Sequence, residues 1–64
     1  MKVMYIYPAT DDQVNWGCND DPRIILNNET IYNVIKTEVH NLNTKYILKE
    51  FPDKKFNSVN FAEI

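Results

Sequence analysis

One cysteine, one histidine, one glycine and one arginine occur in the chain, and each scarcity closes off a class of chemistry. A single cysteine excludes an internal disulfide. Cys18 and His40 are too few for a four-ligand structural zinc site. They would make a nucleophile–base pair only if the fold joined them, and no third orienting residue is evident. With one glycine, no glycine-rich phosphate loop is present. Long apolar runs are also missing. Met1 to Tyr7 is too short for the apolar region of a signal peptide and runs straight into Pro8. No stretch approaches the roughly 20 residues of a membrane span. The expectation is a protein without catalytic residues, cofactor, metal or membrane segment, working in the cytoplasm of a host cell. A lone thiol fits that reducing interior, and the sequon Asn28-Glu29-Thr30 is then read as chance.

What is present is a single domain, residues 1–64, with four Tyr, three Phe and Trp16 to build a core. A chain this short buries only about 60% of the surface its unfolded form exposes. Packing around those rings, or burial against a partner, must make up the difference, so a homodimer or obligate complex enters the reckoning. Asn, Ile, Lys and Tyr are abundant beside the single Arg and Gly. These residues have AT-rich codons, which points to a bacterium of low G+C content or to its phages or plasmids.

The net charge is −2, unevenly spread. Asp11, Asp12, Asp20, Asp21 and Glu29 outweigh Lys2 and Arg23 in the first half, whereas the second half is slightly basic. Nucleic-acid binders carry a basic stripe, because phosphate neutralisation supplies most of their non-specific affinity. The acidic first half argues against that role.

Along the chain, Lys2 to Tyr7 alternates as a strand ended by Pro8. Ala9 to Pro22 is a long polar connection whose Asp, Asn, Gly17 and Pro22 argue against regular structure. Val14 and Trp16 alternate within it as though pinned to the body, and Gly17 offers a turn. A short apolar run, Arg23 to Leu26, leads to a turn at Asn27-Asn28. Residues 30–40 show helical spacing at Ile31, Val34, Ile35 and Val39, but their β-branched content favours a strand with a bulge before Val39. A hairpin at Asn41-Leu42-Asn43 feeds a strand from Thr44 to Phe51, with Tyr46 and Leu48 on one face. Pro52-Asp53 reads as the next turn, Lys55 to Val59 as a strand, and Phe61 and Ile64 as closing core anchors. The sum is a mostly β domain, a small barrel or rolled sheet of about five strands with a long loop after the first.

Ile31-Tyr32-Asn33-Val34-Ile35, the hairpin into Tyr46-Ile47-Leu48, and Lys55-Phe56 followed by Phe61-Ala62-Glu63-Ile64 resemble the small SH3-like barrels common among phage and prophage proteins. The resemblance covers about residues 24–64. It departs at Glu29-Thr30, where those proteins often have Gly-Lys. It also lacks the acidic and aromatic residues of peptide-binding SH3 domains, so proline-rich ligands are not implied. A fold is implied far more firmly than a function.

The residues that suggest a site lie in the long connection. Asp11, Asp12, Asp20 and Asp21 flank Val14 and Trp16, an array suited to a host protein with a basic surface, with Trp16 as anchor and the acids steering encounter. The competing reading has the acids solubilising a loop and Trp16 capping the barrel. Calcium is not implied, because the spacing lacks the Gly and Glu of an EF-hand loop. A rival nucleic-acid face would use Lys45, Lys49, Lys54 and Lys55 with Tyr46 or Phe56. The expectation is a non-enzymatic phage or mobile-element protein that binds and inhibits a host protein, a defence nuclease such as a CRISPR effector being the leading case. The rivals are the lysine face and a structural homo-oligomer subunit.

Overall fold

Val3 and Tyr5 are buried while Lys2 is exposed and Met4 half-buried, the period-two pattern that makes Lys2–Tyr5 a strand, β1. The computed structural model describes residues 1–16, 19–41 and 43–64. Gly17, Cys18 and Leu42 lie outside the described residues, and with them the expected turn at Gly17, the Cys18–His40 pair and the tip of the hairpin. β1 stops two residues short of Tyr7. The Ile6 and Tyr7 amides both donate to the Asn60 carbonyl, at 3.2 and 3.1 Å, instead of continuing a ladder.

After β1 come two short helices, α1 (Asp11–Asn15) and α2 (Pro22–Ile25), then β2 (Thr30–Val39), β3 (Thr44–Leu48), β4 (Phe51–Asn57), a 3-10 turn (Ser58–Asn60) and β5 (Phe61–Glu63). The strands form one antiparallel sheet in the order β4-β3-β2-β1-β5. The mostly β class and the five strands agree with the sequence reading, as does a strand rather than a helix at residues 30–39.

The ten-residue β2 organises the sheet. Its first part pairs with β1, Tyr32 opposite Val3, and its second part with β3, Thr37 opposite Tyr46. Between them the register slips at Ile35, since Val34 pairs with Leu48 but Lys36 with Ile47. A bulge of this kind bends a strand and steepens its twist. The consequence is a sheet that rolls on itself. Phe61 on β5 lies 6.3 Å from Phe56 on β4, although those strands occupy opposite edges. Phe61 also meets Tyr46 and Tyr5, at 5.6 and 5.7 Å. Such tilted pairs contribute about 0.5–1.5 kcal/mol each beyond the area they bury. Around them Val3, Leu26, Tyr32 and Leu48 complete the buried core.

Three sequence expectations are corrected. The connection after β1 is not irregular. Thr10 and Gln13 form a reciprocal capping box, Gln13 N to Thr10 Oγ1 at 3.2 Å and Thr10 N to Gln13 Oε1 at 3.1 Å, which starts α1. Asp21 caps α2 by accepting from Arg23 N at 2.9 Å, with Pro22 at the first helical position. Pro52-Asp53 is not a turn either. The chain reverses at Lys49-Glu50, and Pro52 lies inside β4. Between the Tyr46–Phe56 and Leu48–Phe51 pairs, β3 advances two residues and β4 five, so β4 bulges around its proline. An edge strand tolerates this because it needs no continuous ladder. Finally, Ile64 is 65% exposed and no core anchor, whereas Phe61 is buried.

Among the described residues, one backbone position without glycine has a positive φ. Glu29 has φ = 58° at the turn into β2, a region that costs a side-chain-bearing residue roughly 1–2 kcal/mol. Its amide is held by the Tyr5 carbonyl at 2.7 Å.

Candidate functional site

Four of the five residues of α1 are polar and none of the five is buried, so its place is set by hydrogen bonds rather than by a hydrophobic face. Gln13 is the fastener. Its side-chain oxygen accepts from Asn60 Nδ2 at 2.9 Å, and its carbonyl accepts from Asn19 Nδ2 at 3.1 Å and Asn57 Nδ2 at 3.4 Å. Asn60 is 1% exposed and donates also to the Tyr7 carbonyl at 3.0 Å. These amides tie α1 to the 3-10 turn and to β4. Farther on, Asp20 grips the edge of β4, its amide donating to the Lys55 carbonyl at 2.8 Å and its Oδ2 accepting from Lys55 N at 2.9 Å. These two bonds withhold the Lys55 backbone groups from pairing with another chain.

Trp16 follows α1, and hydrogen bonds hold its backbone. Its amide donates to the Asp12 carbonyl at 2.9 Å. Its carbonyl accepts from Asn19 Nδ2 at 2.7 Å and from Asn43 Nδ2 at 3.2 Å. The side chain is nonetheless 56% exposed. Trp16 therefore does not cap the core; it is presented from a fixed backbone. Beside it opens a cavity of about 300 Å³ lined by Asp12, Gln13, Trp16, Asn43, Asn57 and Val59. Asp12 and Trp16 stand four residues apart across one helical turn, so their side chains are neighbours. The volume lies at the low end of ligand pockets, suited to one side chain rather than a nucleotide.

The four aspartates do not form a common array. Asp11 Oδ1 and Asp21 Oδ2 both bind Arg23 Nη2, at 2.7 and 2.9 Å. The Arg23 hydrogen bond holds the Asp21 carboxyl below its usual range, and the same contact raises Arg23. Asp20 is committed to Lys55. Among the described residues only the Asp12 carboxylate, of these four, has no internal partner. Val14 is half-buried and does not line the cavity.

The lysines are dispersed. Lys45 is buried, at 8% exposure, and has its own partner. Lys55 binds Glu38 at 3.0 Å, Lys54 is half-buried, and Lys49 is exposed at the β3–β4 turn. Phe56 is fully buried, and Tyr46 packs on the core. Glu38 also takes His40 at 3.3 Å. Hydrogen bonding from Lys55 first, and from His40 second, lowers its carboxyl. Glu50 is engaged instead with Asn33, through the Asn33 amide at 3.1 Å and Nδ2 at 2.9 Å. Among the described residues, no group of three or more His, Cys, Asp or Glu could hold a metal ion, and no helix is long and apolar enough to cross a membrane.

Sequence reasoning found Asp12 and Trp16 but missed Gln13, Asn43, Asn57 and Val59. The Thr10-x-x-Gln13 box was a usable signal for Gln13. Asn43 reads from the sequence as part of a hairpin loop and Asn57 as part of a strand, and nothing local marks that either reaches across the chain.

The model of one protein family, described as Bacteriophage T4 protein Y07B, matches residues 12–63. The matched span contains all of the described residues that line the cavity. No curated protein and no solved structure matches the chain.

Proposed function

The chain belongs to the Bacteriophage T4 protein Y07B family and is a phage protein; from that premise we propose that it is a non-enzymatic binding protein that docks on a basic surface of a host protein. One observation carries this reading, the exposed Trp16 on an immobilised backbone beside the unpaired Asp12. Tryptophan is the residue most enriched among interface anchors. Holding its backbone in advance removes part of the ordering cost of binding. Carboxylates around it favour encounter with a positive surface.

Proteins that handle nucleic acids carry such surfaces in their channels. The leading case is therefore a host defence nuclease, including CRISPR effectors, blocked by occlusion of its channel in the host cytoplasm. Occlusion needs no catalytic group. On this reading the rolled sheet is an SH3-like scaffold that displays α1 and Trp16. The lysine face is less favoured, because Lys45 and Phe56 are buried and Lys55 is paired.

The test is a tagged pull-down from host lysate treated with nuclease, run with the native chain and with Trp16→Ala. The expected result is one stoichiometric protein, retained by the native chain and lost from the variant. Recovery of nucleic acid alone, or equal retention by both chains, would overturn the reading.

A further inference from the structure

We infer that the cavity beside Trp16 receives a single arginine side chain of the partner, its guanidinium stacked on the indole and paired with Asp12. The inference rests on the docking reading above and specifies what enters the site. Three observations lead to it.

First, the cavity offers a carboxylate without a protein partner. The Asp12 carboxylate has no partner among the described residues. Asn43 lines the same cavity and donates through Nδ2 to the Trp16 carbonyl, while its unpartnered Oδ1 is turned away from solvent. A guanidinium brings five N–H donors and no acceptor.

Second, the aromatic face and the carboxylate are adjacent by construction. Asp12 and Trp16 lie one helical turn apart, joined by the Trp16 N to Asp12 O hydrogen bond at 2.9 Å. A planar cation can stack on an indole while its edge forks to a carboxylate. An ammonium does one or the other less well.

Third, every competing cation is already occupied or elsewhere. Arg23 is bound by Asp11 and Asp21, and Lys55 by Glu38. None of them lines the cavity. Two of the walls, Val59 and the ring of Trp16, suit the methylene stem of a long cationic side chain.

The probes are three capped tripeptides, acetyl-Gly-Xaa-Gly-amide, with arginine, lysine or neutral citrulline at the centre. The single tryptophan reports the site by its fluorescence. The Trp16 indole and the Gln13, Asn43 and Asn57 side-chain amides report it by NMR. The arginine peptide is expected to shift these signals and no others, and to bind about tenfold tighter than citrulline, the gain a desolvated cation–π contact and a carboxylate pair supply together. Lysine should fall between them. Asp12→Asn should remove most of that difference, and Asp11→Asn should leave it intact.

Equal binding of arginine and citrulline, lysine binding as tightly as arginine, or an unchanged preference in Asp12→Asn would each overturn the assignment. Failure here is distinct from failure of the docking reading. If the peptides show no preference while the pull-down still yields a Trp16-dependent protein, the docking reading stands and the arginine falls. If arginine is preferred but no host protein is retained, the reverse holds.

Discussion

Replacing Asn60 by alanine tests the device that positions the whole site. Asn60 Nδ2 makes two hydrogen bonds, to the Tyr7 carbonyl at 3.0 Å and to Gln13 Oε1 at 2.9 Å, in a residue only 1% exposed. Water cannot take its place without rearrangement. A neutral hydrogen bond contributes about 0.5–1.5 kcal/mol net, and a buried acceptor left without a donor costs about 1–3 kcal/mol. Gln13 Oε1 keeps its bond from Thr10 N, which limits the penalty on that side. The expected loss is about 2–3 kcal/mol. For a domain whose total stability is on the order of 3–10 kcal/mol, that is a large share, and the melting temperature should fall by about 10–20 °C. The fold itself should survive, because the Ile6 and Tyr7 amides still find the Asn60 backbone carbonyl. Urea unfolding followed by circular dichroism and by Trp16 fluorescence measures the effect. The two probes should also separate, with fluorescence changing at lower urea, since α1 loses its tie before the sheet does. A loss below about 0.5 kcal/mol, the range of ordinary surface substitutions, would refute the claim that buried amides hold α1 in place.

Two further outcomes follow from the same contacts. Glu29→Gly should stabilise the chain by about 1 kcal/mol by relieving the positive φ, read as a melting temperature about 5 °C higher; no change or a decrease would mean that the Glu29 backbone is unstrained. Asp21 and Glu38 both have lowered folded-state pKa values, from the hydrogen bonds of Arg23 and Lys55 respectively. Their stabilisation is therefore complete above the unfolded carboxylate range near pH 4 and is lost as pH falls through the folded values. Thermal midpoints should be flat from about pH 7 to 5 and drop below about pH 4, with a shallower drop in Arg23→Met, where Asp21 has lost its partner. An equally steep drop in that variant would place the acid sensitivity elsewhere.

The sheet was legible wherever side-chain periodicity carried the signal. The β-branched residues 30–39 outvoted their helical spacing, and the bulge expected before Val39 sits at Ile35. Pro8 marked the end of the first strand region, and Asn41 to Asn43 the hairpin, closed by His40 N to Asn43 O at 2.8 Å. Pro52 misled because a proline at a sheet edge and a proline in a turn look alike until the strand order is known. The two helices were hidden by their shortness, α1 of five mostly polar residues and α2 of four, and each is started by a side-chain cap rather than by a long apolar face. The site was half legible. Trp16 and Asp12 stood out as residue types, but the division of labour among the four aspartates depends on where Arg23 and Lys55 arrive in space. The contact from Asn60 to Gln13 spans 47 residues, and no local pattern encodes it.

The central claim is that Trp16 and its cavity, and not the lysines, meet the partner. The most direct measurement is the affinity of the captured host protein for the native chain, for Trp16→Ala, and for a Lys49→Ala, Lys54→Ala double variant. The account predicts a loss of about 30-fold or more for Trp16→Ala, the effect of a hot-spot anchor of about 2 kcal/mol, with the lysine variant within about twofold of the native chain. An intact affinity in Trp16→Ala, with the loss falling on the lysine variant, would contradict it.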